Sequence, residues 1–330
     1  MLRFVRLAGR AIAGTLRAEA AYRTMAVGFG RFMPLTRRQL MWGLAAGAAR
    51  AGAQERTANG PQPRTSPALC VHIEQFPGVG YDELGGVIHG LGFAGCVLSV
   101  EEGGHITPEH ADLDLMRCVE AMTGRAVDVF AIGTPVTSPT DPILQVIFWV
   151  AKDMGVPIFL PGRWKFPGDG NVDARLGEIQ RQLSTLAMMA GRAGMTLAVH
   201  NGPGGEFGGA VWDAGLLLRG LDARYAGYDF DVGYAAREGP EAAALALRMA
   251  LPRLKMVTAR DCYWTKDSGA WRLEECPLGE GMVDWRSVFG TLGAARFAGP
   301  ILLRANYRPS ETLAALRKDL AFLKKQLAGA

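Results

Sequence analysis

Residues 196–250 read TLAVHNGPGGEFGGAVWDAGLLLRGLDARYAGYDFDVGYAAREGPEAAALALRMA, and the fold is decided here. Two short apolar runs, Thr196–His200 and Ala226–Asp231, have the length of strands. Each stops on polar residues: His200 and Asn201 after the first, Asp231 and then Tyr234 after the second. The second run leads into Pro240–Ala250, which reads as a helix. Pro240 suits its first turn, because proline has no N–H to leave unsatisfied there. Gly204-Gly205 and Gly208-Gly209 follow the first run without a Walker lysine, so they are not phosphate loops. A short buried run, a helix and another short run describe one unit of a parallel sheet.

The same alternation extends in both directions. Further apolar runs are Leu69–Gln75, Cys96–Val100, Val127–Gly133, Pro157–Gly162, Leu254–Arg260 and Pro300–Ala305. Between them the period lengthens to that of helices. In Asp173–Gly194, for example, Leu176, Ile179, Leu183, Leu186 and Ala187 share one face. Eight such units predict a closed (β/α)8 TIM barrel over residues 68–330 in preference to an open doubly wound sheet. No GxGxxG follows the first run, which removes the best support for a dinucleotide fold.

Barrel active sites lie at the C-terminal ends of the strands. Polar residues gather at those ends: Glu74, Glu101, His105, Thr134, Arg163, His200, Asn201, Asp231, Tyr234, Arg260, Asp261 and Asn306. Polar side chains at so many strand exits predict a ligand pocket. Trp264 suits stacking on a ligand or packing, Trp271 packing, and Trp149, within Ile143–Val150, the core. His72 reads as structural, and His89 and His110 as exposed.

The N-terminal region has a different character. Residues 1–53 hold nine arginines and one acid, Glu19, a net +8 in a chain of net +4; the remainder is therefore net −4. An acidic body gives no reason to expect nucleic acid. Arg37-Arg38, a short Ala/Gly/Leu-rich stretch and Ala51-Gly52-Ala53 form the pattern of a twin-arginine export signal. The expectation is cleavage after Ala53 and a periplasmic or extracellular location. The apolar stretch is too short to span a bilayer, which takes about 20 residues. Residues 54–67 read as a disordered polar linker. The five cysteines, Cys70, Cys96, Cys118, Cys262 and Cys276, are odd in number and widely spaced. They predict small buried hydrophobes, neither a disulfide framework nor a zinc site.

Six segments then carry a resemblance. They are GFAGCVLSVEEGGHITPE (92–109), LAVHNGPGG (197–205), YDFDVGYAAREGP (228–240), VTARDCYWTK (257–266), CPLGEGMVDWRSVF (276–289) and GPILLRANY (299–307). In this order, at these strand ends, they resemble the sugar phosphate isomerase/epimerase family, whose fold is a xylose-isomerase-like TIM barrel. The resemblance implies proton transfer next to the carbonyl of a sugar or keto-sugar. It also implies one divalent cation, Mn²⁺ or Mg²⁺, that polarises the carbonyl.

Carried over position by position, the ligand set is incomplete. His200 lies at or beside the fifth-strand ligand position, and Asp231 keeps the sixth-strand carboxylate; these two are the candidate metal ligands. Gly202, Tyr234, Thr258 and Asn306 stand where the family has histidine, histidine, histidine and glutamate, and Arg260 stands where lysine is usual. Three arrangements fit: a binding barrel that has lost its metal, an altered ligand set adding Glu74, Glu101 or Glu102, or metal-free acid/base chemistry by His105, His200 and Asp231. Each candidate also has a plainer role, and for Asp231 it is capping the next helix or pairing with Arg260. The expected catalytic residues are Asp231, His200 and His105. Those expected to bind substrate are Glu74, Arg163, Asn201, Tyr234, Arg260, Asp261, Trp264 and Asn306. The expected partner is a small-molecule sugar. The alternatives are a non-catalytic carbohydrate-binding barrel, a keto-glycoside lyase, and a nuclease for abasic DNA, which the acidic body and export signal disfavour.

Overall fold

A computed structural model describes residues 65–329, apart from residues 167, 169, 203 and 308–311. Eight parallel strands close into a barrel. They are β1 (Ala68–His72), β2 (Gly95–Ser99), β3 (Asp128–Gly133), β4 (Ile158–Leu160), β5 (Thr196–His200), β6 (Ala226–Asp231), β7 (Leu254–Ala259) and β10 (Pro300–Leu303). Around the barrel the order is β1, β10, β7, β6, β5, β4, β3, β2, so β1 and β5 stand on opposite sides. Each strand coincides with one of the eight runs read from the sequence, β1 and β2 beginning one residue earlier than their runs. The expected export signal, and the expected linker up to residue 64, lie outside the described residues.

Strand parity explains how the chain builds both a core and a site. Side chains alternate faces along a strand. Outward residues such as Leu69, Val71, Leu98, Leu197, Val199, Phe230, Ile301 and Leu303 belong to the large core beneath the helices. Inward residues Ala68, Cys70, Val97, Ala198, Met256 and Leu302 form a second core inside the barrel. Two residues further along the same parity the inward side chains become polar: His72, Ser99, His200, Thr258 and Arg304. The barrel is thus dry at its lower end and polar at its mouth.

The helices that cover the strands start on local caps. Asn171 accepts a bond from Ala174 N at the start of α4 (Val172–Arg192), and Pro240 opens α7 (Pro240–Ala250). Upstream of them lie α1 (Tyr81–Leu91), α2 (Ala111–Thr123) and α3 (Ile143–Met154), and between them α5 (Val211–Leu218) and α6 (Val232–Ala236). In α3 the buried stripe is Leu144, Ile147, Phe148 and Ala151. Trp149 falls off that stripe and is 56% exposed, which corrects its reading as core. All five cysteines are buried, as expected of small hydrophobes.

One feature was not legible in the sequence. After β7, β8 (Asp261–Asp267) and β9 (Ala270–Cys276) form an antiparallel hairpin outside the barrel sheet. Its turn, Ser268-Gly269, has both φ angles positive, the geometry that matches the twist of two-residue hairpins. The chain then passes through the PLGEGMVDW loop into α8 (Trp285–Ala294); the last helix is α9 (Thr312–Ala328). Asp261 organises this loop. Its carboxylate accepts bonds from Cys262 N (2.9 Å), Gly279 N (2.8 Å), Val283 N (3.2 Å) and Trp285 Nε1 (2.8 Å). A Cβ at position 281 would lie 2.1 Å from Asp261 Oδ1, so only glycine fits there.

Candidate active site at the barrel mouth

Two groups of side chains occupy the mouth. The first is built by β5, β6 and β7. His200 Nδ1 lies 2.7 Å from Asp229 Oδ2. A carboxylate can only accept, so Nδ1 carries a proton, and in the neutral imidazole Nε2 then holds the lone pair. Asp229 is held in turn by Thr258 Oγ1, which donates to Oδ1 at 2.8 Å. His200 Nε2 is buried without a hydrogen-bond partner and lies 3.6 Å from Asp231 Oδ2. A buried nitrogen left unpaired is costly and is a frequent mark of a functional site.

Asp231 has both of its plainer roles at once. Oδ1 accepts from Tyr234 N at 2.9 Å and caps α6, while Oδ2 accepts from Arg260 Nε at 2.8 Å. Asn201 braces the same strand end: its Oδ1 accepts from Asp231 N (2.7 Å) and its Nδ2 donates to Asp231 O (3.0 Å). Arg260 is 3% exposed. Its Nη1 donates to Tyr234 Oη at 3.0 Å and to Glu275 from β9, and its guanidinium lies 4.3 Å over the Tyr234 ring. Burial opposes that charge, but Asp231, Tyr234 and Glu275 outweigh it and raise the pKa above the ordinary arginine value. Burial also raises the Tyr234 phenol, more than the nearby Arg260 lowers it.

The second group is built by β1, β2 and β10. Glu74 follows β1 in a single 3-10 turn, Ile73–Gln75. It accepts from Ser99 Oγ (3.2 Å) and Arg304 Nη2 (3.1 Å) and is hydrogen-bonded to the carboxyl of Glu101. Two carboxyls this close share a proton. Burial first, and then the bond with Glu101, push Glu74 up to about 7. The same bond holds Glu101 below its ordinary value. His72 Nδ1 accepts from Glu74 N at 3.3 Å. Its own pKa is well below normal, chiefly through burial and then through Arg304 and His105. Glu74 opens onto a cleft of about 880 Å³, lined also by Tyr81, Asp82, Glu83, His105, Asp114 and Arg117. His105 Nε2 lies 2.9 Å from the Phe76 carbonyl, which fixes its proton on Nε2 and leaves Nδ1 as acceptor.

A family model described as a xylose isomerase-like TIM barrel matches residues 144–326. The chain belongs to the xylose isomerase-like TIM barrel family. No curated protein sequence matches it. Among solved structures, this xylose isomerase-like barrel is similar to a 3-keto-D-glucoside 4-epimerase from E. coli. The identity is 15% and the TM-score 0.64, over 79% of this chain and 100% of that one. It is also similar to a D-allulose 3-epimerase from Methylomonas sp. (16%, TM-score 0.63, 80% and 99%). A third similar structure is a xylose isomerase-like TIM barrel protein from Mycobacterium smegmatis in complex with magnesium (14%, TM-score 0.64, 81% and 99%). At these identities the likeness is one of fold.

The two residues offered by the sequence as metal ligands, His200 and Asp231, do adjoin each other. The set around them does not fit a divalent cation. Both Asp231 oxygens are taken, one of them by a permanently charged guanidinium, and His200 contributes a single free nitrogen. Among the described residues no three His, Cys, Asp or Glu side chains converge to hold a metal ion.

The remaining candidates separate. Arg163 lies beside Gly202 and is paired through Nε with Glu206 Oε2 at 2.6 Å. Asp261, expected to bind substrate, is instead saturated by four loop donors and 1% exposed; holding that loop is its role. Trp264 is 44% exposed on the hairpin, its Nε1 donating to Arg237 O at 3.3 Å. Asn306 is exposed. Sequence reasoning missed Asp229 and Glu275. Asp229 was findable, since it has the inward parity of Asp231 two residues on. Glu275 was not, because it reaches Arg260 only through a hairpin that the run pattern did not reveal.

Proposed function

We propose that this barrel moves a proton next to the carbonyl of a sugar or keto-sugar, as a sugar epimerase or isomerase does. The observation that carries the reading is the Glu74–Glu101 carboxyl pair, with Glu74 pushed up to about 7, at the wall of the 880 Å³ cleft. A general acid/base works best when its pKa lies near the working pH. Ionised Glu74 takes the proton α to the carbonyl; protonated Glu74 returns one. Glu101 stays ionised and holds the shared proton in place. Asp229–His200 supplies a second base, with its Nε2 lone pair free. β1 and β5 stand on opposite sides of the barrel, so in this reading inversion at carbon has one of Glu74 and His200 take the α proton while the other, in its protonated form, returns one to the opposite face. Arg304, on Glu74, offers positive charge to the oxygen that gains electrons.

The cleft also favours an uncharged substrate. Glu74, Asp82, Glu83 and Asp114 line it against Arg117, a balance that repels a phosphate. Support comes too from the similarity in fold to a 3-keto-D-glucoside 4-epimerase and a D-allulose 3-epimerase. A lyase on a keto-glycoside would begin with the same proton removal and differ in losing the aglycone. The twin-arginine pattern at Arg37-Arg38 supports a location outside the cytoplasm.

The test is incubation of the protein with ketohexoses and 3-keto-glycosides, with products followed by NMR. The reading expects a new epimer or isomer from at least one class, lost in Glu74→Gln. Sugar binding with no conversion anywhere in the panel would favour a non-catalytic carbohydrate-binding barrel, the alternative that the occupied Asp231 carboxylate supports.

A further inference from the structure

We infer that the Arg260 guanidinium occupies the place of the divalent cation, so that this mouth is complete without a metal. The inference rests on the mouth being the reacting site, as proposed above, but its test does not depend on activity. Three observations on separate elements converge on it.

The first is Asp231. A carboxylate that binds a hard cation presents at least one oxygen to it. Here Oδ1 is committed to the Tyr234 N–H and Oδ2 to Arg260 Nε. A cation at Oδ2 would sit against a guanidinium that cannot lose its proton. The two charges would repel in a site where Asp231 is 0% exposed and water is scarce to screen them.

The second is how thoroughly Arg260 is held. Asp231 fixes Nε, Tyr234 Oη and Glu275 fix Nη1, and the Tyr234 ring lies under the guanidinium plane. These contacts come from β6, α6 and β9. Glu275 is supplied by the hairpin that interrupts the barrel after β7. That hairpin therefore completes the arginine site as well as extending from the surface. An arginine only resting in an empty metal cage would lack this dedicated second carboxylate.

The third is Gly202, which stands where the resemblance implies a second histidine. A Cβ there would lie 2.7 Å from Arg163 Nη1 and 3.1 Å from Arg163 Cδ. A donor side chain at position 202 would require Arg163 to move from its present place, where Glu206 anchors it. Thr258, at another ligand position, is committed to Asp229. Two of the positions where the resemblance implies ligands, Tyr234 and Thr258, thus carry side chains with partners of their own. Arg260 is a positioning residue in this account: it holds the Asp231 carboxyl and Tyr234 in place, at a charge independent of pH and of metal supply.

The test is a Mn²⁺ titration of the full chain, followed by the EPR signal of free aqueous Mn²⁺, together with elemental analysis and melting curves in EDTA and in Mn²⁺. The inference expects substoichiometric metal in the purified protein, an undiminished free-Mn²⁺ signal and a melting point that neither EDTA nor Mn²⁺ moves. If the wild type does bind Mn²⁺, Asp231→Asn and His200→Asn locate it, with folding checked by circular dichroism. Binding abolished in either folded variant would overturn the inference. Binding that survives both, and Glu74→Gln as well, lies outside the mouth and leaves Arg260 as its cation; binding lost in folded Glu74→Gln puts the metal at the mouth and overturns the inference. A failed substrate screen with no Mn²⁺ binding would sink the proposed reaction alone, so the two failures are separable.

Discussion

Glu74→Gln separates a poised acid/base from a structural carboxylate. With its carboxyl pushed up to about 7, Glu74 in the folded protein is better tolerated protonated than charged, despite Arg304 at 3.1 Å. The sign for stability follows. Between the unfolded pKa, near 4.5, and the folded value, the native state holds a proton that the unfolded chain has released. Stability from this group is therefore fully present below about pH 4.5 and lost as pH rises towards 7. Glutamine imitates the protonated form: it is neutral, of the same shape, and can donate to Glu101. The variant should match wild type near pH 4.5 and exceed it at pH 8. The full shift corresponds to about 3 kcal/mol at roughly 1.4 kcal/mol per unit. Glu74 is 31% exposed and Glu101 shifts the opposite way, so the expected gain is smaller, about 1–2 kcal/mol. For a barrel of this size that is roughly 2–6 °C in Tm. The assay is a pair of thermal melts at the two pH values, beside turnover of the same samples. A variant less stable than wild type at both pH values would show that Glu74 serves as an ionised anchor for Arg304, and the proposed acid/base role would fall.

Other perturbations address other parts of the account. Asp229→Ala removes the acceptor that fixes the His200 tautomer, and proton transfer should slow by roughly 10²–10⁴; steady-state rates with a working sugar check this, and an unchanged rate removes His200 from the reaction. Asp261→Ala strands three backbone N–H groups and one indole N–H. Each buried orphan costs about 1–3 kcal/mol, so chemical denaturation should show a loss of at least about 3 kcal/mol; a loss below about 1 kcal/mol would contradict its role as the loop's hub. Joint Arg37→Lys and Arg38→Lys substitution should keep the precursor in the cytoplasm, as read by fractionation and blotting, and normal export of that double variant would refute the twin-arginine reading.

The fold was legible because barrel strands are buried on both sides and read as short continuous apolar runs, whereas the helices between them carry a one-sided stripe. Thr196–His200 and Ala226–Asp231 announce two strands by themselves, and Pro240 marks a helix start. The hairpin was not legible. Tyr263, Trp264 and Trp271 are exposed on it, so it lacks the burial pattern that marks a strand. The site was legible as a set of strand-end positions but not as roles. Asp261 stands at a strand end like Asp231, and only the distances show one saturated by loop donors and the other facing an unpaired imidazole. The importance of Glu74 comes from Glu101, brought to it by the pairing of β1 with β2 across 27 positions of sequence. Nothing local in either segment encodes that pairing.

The measurement that bears most directly on proton transfer at the mouth is solvent deuterium incorporation. Candidate keto-sugars are held with the protein in D₂O, and loss of the α C–H signal is followed by proton NMR, which detects exchange even without net conversion. The account predicts enzyme-dependent exchange at a single carbon next to the carbonyl, growing as pH rises through about 7 and absent in Glu74→Gln. Exchange no faster than in buffer for a sugar shown to bind, or exchange undiminished in Glu74→Gln, would contradict it.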